Sequence, residues 1–191
     1  AQEGYTMNLV PILQQILKDK PYIIAANNAY KLFPNAFVHL FVDDCWFQWN
    51  SEYLDVYKGP NALTTAPANY SSYKRIKEYK QNQSAILTNN FPFIGGNNCG
   101  HSSINVAYIL GASKVVLLGF DLKTDNGTSS GATHWHDEHQ RPTNQNLWET
   151  RMMPDFITLS QIAPVKGLQI YNTNFDSGIR CFEFKKLEEL A

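Results

Sequence analysis

Cysteine is scarce in this chain of 191 residues: Cys45, Cys99 and Cys181 are the only three, and no two form a CxxC pair. That spacing suggests neither a disulfide framework nor a thiolate zinc site. Charge of either sign is also in short supply. Charged residues make up 17% and the formal net charge is −1. A surface that neutralises many phosphates is therefore not expected, and duplex nucleic acid is disfavoured as a partner. The one basic run, Lys74 to Lys80, reads as a solvated helix or strand face. No apolar run is long enough to span a bilayer and the opening residues carry no signal-peptide pattern, so no membrane partner is expected. Reduced cysteines and the lack of a leader together predict a cytoplasmic protein. An oligomer is compatible with this composition.

Hydrophobic residues make up 43%, a globular composition with enough apolar material for a sizeable core. Leu9, Ile12, Leu13, Ile16 and Leu17 repeat at helical spacing, and Pro21 stops that helix. Short apolar runs at 22–26 and 36–42 read as buried strands, with a short helix near Ala29–Phe33 between them. Trp46, Phe47, Trp49 and Tyr53 fall at roughly helical spacing and read as core. Further strands are expected at Asn61–Ala66 and Ser84–Thr88. A glycine-rich loop at Gly95–Gly100 opens a helix with Ser102 or Ser103 as its cap and Gly111 as its stop. A buried strand, Lys114–Asp121, follows. A helix across Leu147–Ile162, with a break at Pro154, leads to a strand at Gln169–Asn172 and a short amphipathic helix at Lys185–Leu190. Alternating strands and helices predict an α/β fold, a Rossmann-like three-layer sandwich with a mostly parallel central sheet, in one domain spanning 1–191.

In such sheets ligands bind beyond the carboxyl ends of the strands. Asn27 and Asn28, Asp43 and Asp44, Asn89 and Asn90, Asp121 and Asn172 all fall at expected strand ends, which predicts one shared polar crevice. Gly96, Asn97, Asn98, Cys99, Gly100 and Ser102 are the ligand-binding candidates at the loop. Backbone N–H groups at a helix start favour an anion such as phosphate, and glycine permits close approach. A plain tight turn explains the same residues equally well. Asn27 and Asn28 have the chemistry to hold a base or ribose, although asparagine is common in turns. Asp121 is a candidate to hold a hydroxyl or metal.

Three of the five histidines, His134, His136 and His139, lie within six residues beside Asp137 and Glu138. Imidazoles so spaced suit a divalent metal, or one of them suits general acid–base work. His134 and His136 are thus catalytic candidates, and the three together are metal candidates. A divalent metal is the only cofactor this pattern suggests. His101 is a secondary candidate, and His39, inside a strand, reads as a satisfied core histidine.

Several spaced blocks carry a resemblance. They are Ile23–Tyr30, Gly96–Gly100 with Ile104–Tyr108, Leu117–Asp121 and His134–His136, with Tyr171-Asn172 and Cys181-Phe182 near the end. From about residue 20 onward the chain resembles an uncharacterised family common in phages and prophages. That family is similar to a Rossmann-like superfamily of bacterial sialyltransferases, flagellin-modifying glycosyltransferases and archaeal 6-hydroxymethylpterin pyrophosphokinases. The resemblance implies that Asn27 or Asn28 helps bind a nucleotide, that Cys99-Gly100 lines its site, and that His134 or His136 is the base. It also implies host cytoplasm for a phage-encoded chain. Superfamily members begin with a strand and a Gly-x-Gly-Pro-Ser-like loop, and no such strand precedes Ala1–Gly4. The expectation is a fragment that starts just after that loop; the alternative is a protein without it.

Three functions follow as expectations. The leading one is a nucleotide-dependent, glycosyltransferase-like transferase acting on a nucleotide or nucleotide-sugar. The second is a metal-dependent hydrolase or pyrophosphate-handling enzyme using the histidine cluster. The third is a non-catalytic phage module that binds a nucleotide or a protein.

Overall fold

A computed structural model describes residues 22–42, 46–50, 52–65, 76–82, 86–123 and 145–190. The expected helix at 9–20, Asp43 and Asp44, and the cluster His134–His139 lie outside the described residues. Strands β1 (Ile24–Ala26), β2 (Val38–Phe41), β3 (Asn61–Thr64) and β4 (Ile76–Glu78) form one sheet in that order. Strands β5 (Lys80–Asn82) and β6 (Phe93–Gly95) pair with each other, and β7 (Lys114–Leu117), β8 (Gln169–Asn172) and β9 (Glu183–Phe184) form a third sheet. Every pairing is parallel. The fold is therefore mixed α/β with parallel sheets.

Register explains how the first sheet is buried on both faces. Ala25, His39 and Ala62 stand side by side across β1, β2 and β3. With Phe41 one pleat repeat along, they face a cluster of Tyr30, Trp46, Tyr53 and Tyr57. The alternate residues Ile24, Ala26, Val38, Leu40 and Leu63 face the other way and pack with Cys99, Val106 and Ile109. A continuous apolar run suits a strand covered on both sides, which is why 36–42 shows no alternation in sequence.

The aromatic cover comes from two single-turn helices, α1 (Trp46–Trp49) and α2 (Tyr53–Val56). Trp46 and Tyr53 are core as expected, while Trp49 is only half-buried. Tyr30 and Tyr53 meet edge to face at 5.0 Å, and Phe41 stacks on Trp46 at 4.5 Å. Buried polar tips find partners: the Trp46 indole donates to Asn28 Oδ1 at 2.9 Å, and the Tyr30 hydroxyl donates to Glu52 at 2.9 Å. The expected short helix after β1 is a 3₁₀ turn, Asn27–Lys31.

Helix α3 (Cys99–Ile109) follows the glycine-rich loop, as expected, and ends at Gly111, whose N–H reaches the Tyr108 carbonyl at 3.0 Å. Its cap differs from expectation. Asn98, not Ser102 or Ser103, accepts the His101 N–H at 3.0 Å. The helix starts four or five residues earlier than a cap at Ser102 or Ser103 requires, so both serines fall inside it and are buried. Ile104 joins Leu117, Phe156, Leu159 and Leu168 in a separate core cluster around β7 and β8.

Other expectations shift at their edges. Strand β7 stops at Leu117, four residues short of Asp121. Residues 86–88 are not strand; the basic run supplies β4 and part of β5 instead, because Ile76 and Tyr79 turn inward while Glu78 and Lys80 stay exposed. Pro154 does not break its helix. It lies at the start of α4 (Met153–Val165), directly after a π turn at Trp148–Met152 that continues from helical Gln145–Leu147, and this π register is where the continuous helix accommodates the missing N–H. Strand β8 has the expected bounds, and the terminal helix is only a 3₁₀ turn, Leu187–Glu189.

Candidate functional site

The carboxyl end of β1 and the amino end of α3 meet. Cys99 Sγ lies 3.1 Å from Asn27 Oδ1, joining residues 72 apart in sequence. Chain geometry makes this contact. Asn27 leaves β1 with φ of 48°, a left-handed conformation that asparagine tolerates better than most residues. The loop 96–98 turns the chain from β6 into α3. Gly96 there has φ of 111°, and a Cβ on it would stand 2.8 Å from His101 Cγ and 2.9 Å from the Ser102 nitrogen. Only glycine satisfies both constraints. Gly100 is required by packing, since a Cβ would lie 2.7 Å from the Phe120 ring.

Asparagine side chains then brace the loop. Asn98 caps α3 and donates to Asn97 Oδ1 at 2.8 Å, and Asn97 donates to the Arg151 carbonyl. Asn105, fully buried nearly two turns into the helix, reaches back. Its Oδ1 accepts from the Gly95 N–H and its Nδ2 donates to the Thr88 carbonyl at 2.6 Å. This anchor was missed in the sequence. An asparagine set among Ile104, Val106 and Ala107 was the available signal, because a polar group at a buried helical position needs partners.

Of the sequence candidates, Asn27, Gly96, Asn97, Asn98, Cys99 and Gly100 come together at this junction. Asn28 is buried, its carboxamide oxygen occupied by Trp46. Ser102 is buried in α3. Asp121 is exposed and belongs to a different turn: Oδ1 accepts from Asn174 Nδ2, and its carbonyl accepts from the Gly178 N–H at 2.6 Å. Asn172, buried at the end of β8, shapes that same turn through the Asn174 N–H at 3.0 Å. His134, His136 and His139 lie outside the described residues, and no group of three or more His, Cys, Asp or Glu among the described residues is placed to hold a metal.

Two buried histidines flank the junction. His39, fully buried, places Nε2 2.7 Å from the Asn27 carbonyl and Nδ1 2.9 Å from the Tyr53 hydroxyl. Burial pushes its pKa down from 6.5 to about 3, against the bond to Asn27. His39 is thus the satisfied core histidine expected, and also a contact to the site that the sequence did not reveal. His101 places Nε2 2.7 Å from the Ile86 carbonyl, with Nδ1 4.0 Å from Asp155. Burial lowers its pKa too, outweighing the Ile86 bond and Asp155.

Among the described residues no helix is long and apolar enough to cross a membrane. No family model, curated protein or solved structure matches this chain.

Proposed function

We propose that this chain is a nucleotide-dependent, glycosyltransferase-like transferase on a Rossmann-like layered α/β fold. The nucleotide sits between Asn27 and the loop Gly96–Gly100. One observation carries the reading: the 3.1 Å contact between Asn27 and Cys99, which puts a strand carboxyl end against the start of an eleven-residue helix. Parallel α/β sheets bind ligands at such junctions, and the first turn of a helix favours phosphate oxygens. Asn27 offers a carboxamide to a ribose hydroxyl or base, and Gly96 lets the loop pack directly against the first turns of α3.

The chemistry then divides among few groups. An acceptor hydroxyl oxygen attacks the sugar carbon, that carbon's bond to the nucleotide phosphate breaks, and the phosphate leaves with its electron pair. The start of α3 stabilises the leaving phosphate. His134 or His136 takes the acceptor proton.

Purified protein is expected to show a nucleotide-dependent rise in melting temperature with at least one member of a CMP, UDP, GDP and ATP series. Asn27→Ala should lose that rise. No response to any of the four would overturn the reading. Binding without turnover of any nucleotide-sugar would replace the transferase with a binding module on the same site.

A further inference from the structure

We infer that His39 is the positioning residue that fixes Asn27 against Cys99, through a one-way relay starting at Tyr53. The inference rests on the site assigned above but concerns a residue outside it. A backbone carbonyl only accepts, so the 2.7 Å contact with the Asn27 carbonyl requires the proton on His39 Nε2. His39 Nδ1 is then an acceptor, and the Tyr53 hydroxyl 2.9 Å away donates to it. Tyr53 is itself fully buried and locked by rings, edge to face with Tyr30 at 5.0 Å and stacked on Tyr57 at 5.4 Å. The relay therefore runs from the aromatic core, through the sheet histidine, to the carbonyl of the residue that turns left-handed at the end of β1. Asn27 is held at two points: its carbonyl by His39 and its side-chain oxygen by Cys99. Releasing the first lets the backbone relax out of φ 48° and carries the carboxamide off Cys99. The aromatic face thereby sets the geometry of a site on the strand ends.

The test needs no nucleotide. Cys99 is pinned by Asn27, whereas Cys181, half-buried beside a different core cluster, supplies an internal reference for labelling. Iodoacetamide labelling of the intact chain, read peptide by peptide, gives the ratio of Cys99 to Cys181 modification. His39→Asn keeps a polar group near Tyr53 but is too short to reach the Asn27 carbonyl. It should raise the ratio by about three- to tenfold, the worth of one hydrogen bond. His39→Gln replaces the Nε2 donor and should restore the ratio to near the wild-type value. If His39→Asn does not fold, Tyr53→Phe serves. It keeps the ring, unfixes the tautomer, and should raise the ratio roughly threefold. Equal ratios in His39→Asn and His39→Gln, or a wild-type ratio in Tyr53→Phe, would overturn the relay. Titration of wild-type protein with CMP and UDP judges the site assignment separately, so the two readings fail independently.

Discussion

His39 and His101 bring acid sensitivity into the core at the scale of single residues. Both have folded pKa values lowered by burial, His39 to about 3 from 6.5. A depressed histidine means the unfolded chain binds more protons. The contribution of such a group is full above pH 6.5 and is lost as the pH falls, for His39 down to about 3. The loss per site approaches about 1.4 kcal/mol for each pH unit. Urea midpoints at pH 7, 6 and 5 should fall steadily in the wild type and more shallowly in His39→Gln, which has one titrating group fewer. Parallel slopes would show that His39 is not buried neutral. Asn98 gives a second prediction. Removing the cap in Asn98→Ala should cost about 1 kcal/mol of stability by the same denaturation. Gly96→Ala should cost more, about 1–3 kcal/mol, because it forces a side chain into a left-handed backbone against His101 and weakens any ligand held by the loop.

Element by element, the parts of the fold with strong local signals were legible. Strand β8, the aromatic core after β2 and the loop-into-helix at α3 follow from apolar runs and from glycine and asparagine punctuation. The misplacements have physical causes. Serine and asparagine both cap helices, and which one does so depends on where the chain enters α3. Ile86 and Leu87 look like strand residues, but tertiary packing used them as loop anchors while the basic run paired into the sheet. Asn27 and Cys99 were each readable as candidates, yet their contact was not, since nothing local links residues 72 apart. The His39 and Asn105 connections were invisible for the same reason: both depend on which distant backbone atom lies opposite. The aromatic element yields its own prediction. Trp46→Ala removes a side chain that stacks on Phe41 and leaves Asn28 without its indole partner, so it should cost roughly 3–5 kcal/mol in chemical denaturation.

For the whole molecule, parallel strands deliver their carboxyl ends to loops while the two faces of the first sheet are sealed by the aromatic cluster and α3. Stability and ligand contact are thereby assigned to different atoms of the same strands, with His39 and Asn105 bridging the two. The proposed nucleotide site joins Asn27 to the start of α3. A crystal structure of the full chain soaked with CMP, UDP, GDP and ATP in turn tests it most directly. One nucleotide is expected, with its phosphate on the backbone of Gly96–Gly100 and its ribose or base on the Asn27 carboxamide. A nucleotide bound elsewhere, or none bound from any of the four, would contradict it.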